Sequence, residues 1–193
     1  MTAALFAVGS ARADDAAAPD NDLLEPVITV IGDRIRLDSI PGSGTVIEAG
    51  ILTESRVLTI NEALRKVPGV FARDEEGLGL RPNLGIRGLN PTRSSKVLLL
   101  EDGIPIAYAP YGDNATYYHP PVERFERIEV LKGSGQIAYG PHTVGAVINY
   151  ITPPVPADRA GRLVASFGNK DFREIHGQVG DTFGKTGFIA HGT

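Results

Sequence analysis

The chain has 193 residues, and its 19 Lys and Arg against 23 Asp and Glu give a formal net charge of −4. This acidic balance argues against nucleic acid as the main partner, because nucleic-acid binding needs a concentrated basic face. The absence of cysteine excludes disulfides, thiolate metal sites and cysteine nucleophiles. No apolar run approaches the roughly 18 residues of a membrane-spanning helix, and the 23 Gly and 14 Pro indicate many turns and short elements.

The N-terminal residues have the pattern of a targeting segment. A small, apolar run from Thr2 to Gly9 precedes Ala11-Arg12-Ala13, which places small side chains where a signal peptidase reads them. The basic n-region is missing, so we interpret residues 1–13 as a truncated secretory signal peptide; the alternative is an Ala-rich disordered tail. The acidic and polar residues 14–25 predict an unstructured segment.

Short elements follow along the chain. Residues 27–31 are β-prone without a neighbouring strand, so we expect either disorder or donation to another protein's sheet edge, with a strand of the domain itself as the alternative. A helix is predicted from Thr59 to Val67, because Thr59 and Glu62 form a capping box and apolar residues recur at helical spacing. Short strands are predicted at Val70–Ala72, Leu84–Arg87, Lys96–Leu100, Ile104–Ala107, Phe125–Leu131 and Ala146–Ile151.

The sequence pattern changes after Pro156. Apolar and polar residues alternate over Arg162–Phe167 and Phe172–Asp181, and a further strand begins at Phe188. Strands of about 10 residues joined by turns are typical of a sandwich meander or of a membrane β-barrel. Too few strands are present to close a barrel, so we expect the chain to be a fragment.

No enzymatic or metal-binding pattern is convincing. The segment Gly133–Ala138 matches a dinucleotide fingerprint, but Gly140-Pro141 interrupts the helix that it should open. The four histidines lack the i, i+4 spacing of a zinc helix, and we expect His119 to be a solvated loop residue. No nucleophile elbow supports a catalytic use of His119 with Asp113 and Ser134. The sequence therefore predicts no catalytic residue, no metal site and no cofactor.

The stretch from Leu64 to Thr152 resembles the plug domain of TonB-dependent outer-membrane receptors. Its specificity comes from several short motifs in a fixed order, which are Ala63–Val70, Ile86–Gly88, Val97–Pro105, Glu126–Gly133, Tyr139–Pro141 and Gly145–Asn149. The resemblance implies an α+β fold, with a mixed β-sheet and short helices in a small plug domain at residues 40–154. Residues 155–193 would then be the first antiparallel strands of a truncated β-barrel of about 22 strands.

The resemblance also implies a location and partners. Residues 14–39 would be a flexible periplasmic segment that carries the TonB box, formed by Pro26, Val27, Ile28, Thr29, Val30 and Ile31. TonB would bind this box by strand addition. The receptor would lie in the outer membrane of a Gram-negative bacterium, contact lipid through its barrel, and bind a ferric chelate. A soluble periplasmic binding module is the rival interpretation.

Within the family, the motifs Ile86–Pro91 and Asp102–Pro105 are similar to those of ferric dicitrate receptors. This similarity implies plug ligand residues in two loops, which we assign to Glu75, Glu76, Leu78, Tyr111 and Asp113. The three carboxylates would repel an anionic iron–citrate complex unless barrel arginines compensate. Another siderophore, cobalamin or another metal chelate therefore stays an alternative ligand.

Two arginines match positions that contact the barrel in this family. Arg87 and Arg127 correspond to plug arginines that pair with barrel glutamates. A buried or half-buried arginine needs a partner, so we expect both side chains to lack one within this chain. Ordinary surface arginines are the alternative.

Overall fold

In a computed structural model of the chain, the described residues are 41–76, 79–106, 116–140 and 143–193. They divide after Pro153 into two compact units. The predicted TonB box and the predicted ligand residues Leu78, Tyr111 and Asp113 lie outside the described residues. Within the described ranges, no helix has the length and apolar character needed to cross a membrane.

The first unit is α+β, as predicted. Its elements are β1 (Ser43–Glu48), α1 (Ala49–Glu54), α2 (Ile60–Leu64), β2 (Val70–Ala72), β3 (Leu84–Ile86), β4 (Val97–Glu101), β5 (Ile104–Pro105), β6 (Arg127–Lys132) and β7 (Ala146–Ile151). Among the described residues, five strands form one sheet in the order β1-β6-β7-β4-β5, and β2 pairs with β3 separately. The sheet is mixed, because β4 and β7 run parallel whereas its other pairs are antiparallel.

The centre of the sheet is the core of this unit. Every residue of β7 is buried, and β6 is buried from Ile128 to Lys132. A strand that is apolar except for one residue, as Ala146–Ile151 is except for Asn149, is typical of a position with neighbours on both edges and both faces. The fully buried Ile128, Val130 and Ile148 pack with residues of α2 in one hydrophobic cluster.

The helix predicted from Thr59 begins where expected and ends earlier. Thr59 Oγ1 accepts a hydrogen bond from the Glu62 backbone N–H at 3.3 Å, and Glu62 Oε2 accepts one from the Leu58 N–H at 2.7 Å. The regular helix stops at Leu64, because the following N–H groups of Lys66 and Val67 bond three residues back instead of four. This tighter turn is common at helix ends, and the predicted apolar face is nevertheless buried.

The strand β1 was not predicted, because Ser43 and Gly44 have little β-propensity and only Thr45, Val46 and Ile47 favour a strand. Its structure comes from pairing with β6, from Ser43 opposite Lys132 to Glu48 opposite Arg127. Gly42 makes this approach possible: it has φ of 121°, and a Cβ there would lie 2.3 Å from the Lys132 carbonyl oxygen. Only glycine adopts that geometry without strain.

The hairpin signal at Asp102-Gly103 is confirmed. Both residues have positive φ, 48° and 80°, between β4 and β5. The Asp102 carboxylate accepts hydrogen bonds from the backbone N–H and the hydroxyl of Thr152, at 2.9 and 2.7 Å. The side-chain oxygen of Asn149 accepts a hydrogen bond from the Gly103 N–H at 2.9 Å. The turn is thereby attached to the chain around the end of β7.

The second unit is an antiparallel sheet of β8 (Ala160–Phe167), β9 (Arg173–Phe183) and β10 (Thr186–Gly192), among the described residues. The alternation predicted from the sequence is confirmed, and β8 and β10 begin two residues before their predicted starts. One face carries mainly apolar side chains, which are Leu163, Ala165, Phe167, Ile175, Val179, Phe183, Phe188 and Ala190. The opposite face carries mainly polar ones, which are Arg162, Ser166, Glu174, His176, Gln178, Thr182 and His191.

Candidate functional site

Three loops of the first unit meet at one place. The N–H of Thr116 donates to the Arg93 carbonyl at 3.0 Å, and the N–H of His119 donates to the Leu80 carbonyl at 2.8 Å. The Asn83 side-chain oxygen accepts from the Arg93 N–H at 2.8 Å. We call this region the loop cluster and define it as residues 73–76, 79–83, 90–95 and 116–119. It contains Glu75 and Glu76 of the predicted ligand residues.

Arg93 has an unusual backbone conformation in the loop cluster. Arg93 and Ser94 both lie in the left-handed region, with φ of 53° and 51°, which costs on the order of 1–3 kcal/mol for each non-glycine residue. Two fully buried side chains hold this conformation: Asn83 accepts the Arg93 N–H, and Ser94 Oγ accepts the Leu84 N–H at 3.1 Å. The backbone of Arg93 is therefore fixed by contacts from outside its own turn.

The Arg93 guanidinium lies against an aromatic ring. Its Cζ is 5.0 Å from the centre of the Tyr117 ring, and its Nη1 donates to the Tyr117 hydroxyl at 2.9 Å. A cation at this distance from an aromatic face is attracted by the ring's electron density. Both the backbone and the head group of Arg93 are thus positioned by neighbouring residues.

The two described carboxylates of the predicted ligand set are engaged inside the loop cluster. Glu75 Oε2 accepts from Asn83 Nδ2 at 3.0 Å, and Glu75 Oε1 lies 3.6 Å from Arg81 Nη1. Glu76 Oε1 accepts from the Arg81 backbone N–H at 3.2 Å. The Asn83 hydrogen bond, followed by the nearby charges of Arg81, Arg93 and Arg73, lowers the pKa of Glu75. Both carboxylates are thus bound within the loop cluster, and the expectation that they repel an anionic iron–citrate complex stays a prediction.

The remaining charged side chains of the described loop cluster include more arginines than glutamates. Asp74 is paired with Arg65 next to α2 at 2.6 Å. Of the other charged side chains in the described loop cluster, three are arginines (Arg73, Arg81 and Arg93) and two are glutamates. Arg73 donates to the neutral hydroxyl of Thr92 at 3.3 Å, and Arg93 to that of Tyr117. The sequence reasoning missed these arginines, although all three occur between the motifs around Pro68-Gly69 and Lys96.

A small cavity lies in the loop cluster. It has a volume of about 40 Å³ and is lined by Glu75, Arg81, Pro82, Arg93, Thr116 and Tyr117. Thr116 is 2% exposed, and within the described part of the chain its hydroxyl makes no hydrogen bond. The surrounding surface exposes Leu80, Tyr117 and Tyr118, each by about half. The site thus combines arginines, exposed aromatic rings and an unused hydroxyl.

His119 is buried, so the expectation of a solvated loop residue is wrong. Only 2% of its surface is exposed, and its Nε2 lies 2.9 Å from the hydroxyl of the fully buried Tyr150. The rings pack edge to face, and Tyr150 also stacks on Phe125. Burial lowers the pKa of His119 to about 3 and raises that of Tyr150. A neutral His119 therefore anchors the end of the loop cluster to β7.

The two predicted barrel-contacting arginines differ in their surroundings. Arg127 Nε is 3.3 Å from Oε1 of Glu129, whose side chain is fully buried. The expectation that Arg127 lacks a partner in this chain is therefore wrong. Arg87 is exposed, has φ of 50°, and donates its N–H to the Gly69 carbonyl at 2.8 Å. Burial, and secondarily the charge of Arg87, lowers the pKa of Lys132, whose Nζ donates to the Pro68 carbonyl at 2.7 Å.

Metal binding by the chain's own residues finds no support in the described ranges. No group of three or more His, Asp or Glu side chains converges there.

Comparison with known proteins identifies the first unit. Residues 36–147, more than half of the chain, match the family model of the TonB-dependent Receptor Plug Domain. The vitamin B12 transporter BtuB of Vibrio vulnificus is 36% identical over 116 residues, which are 60% of this chain and 18% of that protein. A BtuB of Photobacterium profundum is 32% identical over 130 residues, which are 67% of this chain and 21% of that protein.

Solved structures show the same fold. The unliganded ferric citrate transporter FecA is similar with a TM-score of 0.59 and 30% identity, over 72% of this chain and 22% of that chain. The siderophore receptor PirA of Acinetobacter baumannii has a TM-score of 0.60 at 22% identity, over 81% of this chain and 24% of that chain. The chain thus spans about a fifth of the length of the proteins that it matches. These proteins are transporters and receptors, and the match over residues 36–147 shows that the chain belongs to the family of TonB-dependent receptor plug domains.

Proposed function

We propose that this chain provides the plug domain and the first barrel strands of a receptor for the active, TonB-dependent uptake of a ferric chelate. Receptors of this family lie in the outer membrane of Gram-negative bacteria, which locates the chain there. Residues 1–13 are proposed as a truncated signal peptide, residues 14–39 as the periplasmic segment, residues 40–154 as the plug and residues 155–193 as barrel strands.

The observation that carries this proposal is the two-sided character of the second unit. On its apolar face Leu163, Phe167 and Phe183 are exposed by 76%, 69% and 66%. In a soluble binding module such a surface would invite aggregation, whereas alternating apolar and polar faces are typical of strands between lipid and a hydrated lumen. The exposed face therefore favours a membrane receptor over a soluble periplasmic module.

The ligand is proposed to be a ferric chelate of the ferric citrate kind. The motifs around Ile86–Pro91 and the 30% identity with the ferric citrate transporter support it. The alternative, cobalamin, is supported by the 36% identity with a vitamin B12 transporter. We propose that the plug binds the ligand through its two ligand loops, by Glu75, Glu76, Leu78, Tyr111 and Asp113.

Energy for uptake would come from TonB, because the outer membrane holds no energy source of its own. TonB would pair with residues 26–31 as an added strand and remodel the plug after the ligand binds. Arg87 and Arg127 are proposed to contact the barrel wall. Arg127 would do so while forming an ion pair with Glu129.

The test is Ile28→Pro in the complete receptor, compared with Asn21→Pro outside the predicted box. Proline removes a backbone donor and disfavours strand pairing. We expect Ile28→Pro to abolish energised uptake of radiolabelled ligand by whole cells while equilibrium binding is unchanged, and Asn21→Pro to leave both intact. Loss of binding, or uptake as fast as in the wild type, would contradict a TonB box at residues 26–31.

A further inference from the structure

We infer that Val155 and Pro156 form a strap that anchors the incoming chain to the polar face of the second unit, and that this anchor limits how far TonB can move the first unit. The inference rests on the proposed function, since it needs a receptor on which TonB pulls. It gives a mechanical role to residues that belong neither to the ligand loops nor to the TonB box.

The surface under the strap consists of two glycines and a threonine, Gly180, Thr182 and Gly187, which we call the seat. Gly187 lies opposite Thr182 in the pairing of β9 with β10, and Gly180 is two residues before Thr182 in β9. Because successive residues of a strand point to opposite faces, all three positions share the polar face of the second unit. The two glycines thus leave a shallow depression beside the Thr182 side chain.

The strap occupies the space that side chains at the two glycines would need. A Cβ at Gly187 would lie 2.5 Å from Val155 Cγ1, and a Cβ at Gly180 would lie 2.7 Å from Pro156 Cδ. Carbon atoms that are not bonded prefer separations of about 3.5–4.0 Å. Glycine at both positions is therefore what allows the strap to lie directly on the strands.

A hydrogen bond and two prolines hold the strap in place. The Thr182 hydroxyl donates to the Pro156 carbonyl at 2.6 Å. Pro154 and Pro156 flank Val155, and they stiffen the chain because the φ of proline is fixed. Less conformational entropy is therefore lost when this segment attaches to the seat.

The strap sets the length of free chain between the two units. Thr152, directly after β7, donates two hydrogen bonds to the Asp102 carboxylate, and β8 begins at Ala160. With the strap attached, residues 153 and 154 are free and span about 7 Å when fully extended, at about 3.4 Å for each residue. With the strap released, residues 153–159 are free and span about 24 Å.

This difference decides what a pull by TonB does to the first unit. TonB would pull at residues 26–31, on the N-terminal side of that unit, and the chain beyond its C-terminal end would resist the pull where it is attached to the strands. An attached strap keeps this end within a few ångströms of its anchor, so the pull rearranges contacts inside the first unit. A released strap lets the unit follow the pull as one body.

The experiment uses the complete receptor, with any cysteine outside this chain replaced. Gly187→Leu fills the seat, and Thr182→Val removes the hydrogen bond to the strap while keeping the size of the side chain. Gly192→Leu is the matched control, because a Cβ at this position of the same strand meets nothing within 4 Å. A nitroxide spin label attached through Ala157→Cys, at an exposed residue next to the strap, reports whether the strap is attached.

The functional measurement is the entry of vancomycin, an antibiotic that the intact outer membrane excludes, into whole cells. The cells contain or lack TonB and receive whichever of ferric citrate and cyanocobalamin the wild-type receptor imports. We expect Gly187→Leu to make the label mobile and to raise vancomycin entry several-fold, only in cells with TonB and the probe. Thr182→Val should have a smaller effect of the same kind, and Gly192→Leu should behave as the wild type.

Three results would overturn the inference. The first is a label that is as immobile in Gly187→Leu and Thr182→Val as in the wild type, and the second is a mobile label without TonB-dependent entry of vancomycin. The third is entry that is equally fast without TonB, because it would indicate a misfolded plug instead of one displaced under load.

Failure of the proposed function is a separate outcome. It would appear as a wild-type receptor that imports neither ferric citrate nor cyanocobalamin with energy. That result would refute the anchoring role as well, because no load would act on the strap, whereas the spin label would still show whether the strap is attached to its seat.

Discussion

Acid should destabilise the first unit through His119, and the size of the effect follows from its burial. The ring is 2% exposed and its pKa falls to about 3 because burial disfavours the charged form. In the unfolded chain the pKa returns to its ordinary 6.5. Between about pH 6.5 and pH 3, His119 is therefore protonated in the unfolded state and neutral in the folded state.

The sign follows directly from proton linkage. Stability is highest above pH 6.5, where His119 is neutral in both states, and falls as the pH drops toward 3. At pH 5 the loss is about 2 kcal/mol, and over the whole window it approaches about 5 kcal/mol, at about 1.4 kcal/mol for each unit of pKa difference. Tyr150 stays neutral throughout, since burial raises its pKa.

The assay compares His119→Gln with Tyr150→Phe and the wild type. Urea unfolding of the chain, followed by circular dichroism at pH 7.5 and pH 5, gives the free energy of unfolding. His119→Gln removes the titrating group, so its loss of stability between these pH values should be smaller by about 2 kcal/mol. Tyr150→Phe removes the hydrogen-bond partner but keeps a buried histidine, so it should retain most of the wild-type pH dependence.

A direct measurement can refute this reasoning. Ring signals of His119 in an NMR titration should stay those of a neutral imidazole down to pH 5. A midpoint near pH 6.5 would show that water reaches the ring in the folded state. An identical pH dependence of stability in the wild type and His119→Gln would also refute it.

Two further predictions concern the helix cap and the ligand charge. Thr59→Ala removes the hydroxyl that accepts a hydrogen bond from the Glu62 N–H, and it should lower the free energy of unfolding by about 1 kcal/mol. Thr59→Ser keeps the hydroxyl and should retain most of the wild-type stability. A Thr59→Ala variant as stable as the wild type would contradict the role of the cap. Asp113→Asn, in the loop outside the described residues, should tighten ferric citrate binding by roughly tenfold in the complete receptor. Titration at low and moderate salt measures this change, and weaker binding would argue for a cationic or hydroxyl-rich chelate.

Local signals in the sequence were sufficient for many elements of this protein. The capping box of Thr59 and Glu62, the Asp102-Gly103 turn and the boundaries of Ala146–Ile151 were all predicted correctly. In each case the signal is local: it lies within a few residues of the chain, or it is a pattern of apolar side chains that repeats with the period of the helix or strand. The alternation after Pro156 likewise predicted the antiparallel strands, because successive side chains of a strand point to opposite faces.

The motifs of the first unit were informative for a different reason. No single segment among Ile86–Gly88, Val97–Pro105 and Glu126–Gly133 specifies a fold by local propensity. Their order along the chain predicted the plug domain, and the family match over residues 36–147 confirmed it. The strand β1 escaped prediction because its partner β6 lies about 80 residues later in the chain, and long-range pairing leaves no local pattern.

The electrostatics of the site were decided only by the tertiary structure. In the sequence Glu75 and Glu76 are simply two negative charges, whereas the fold places Asn83 and Arg81 against them and brings Arg93 to the cavity that Glu75 also lines. His119 looked like a solvated loop residue until its loop placed it against Tyr150, 31 positions away. The pKa of a carboxyl group or an imidazole depends on its hydrogen bonds, on nearby charges and on its exposure to water. For these residues, the groups that decide it come together only in the folded chain.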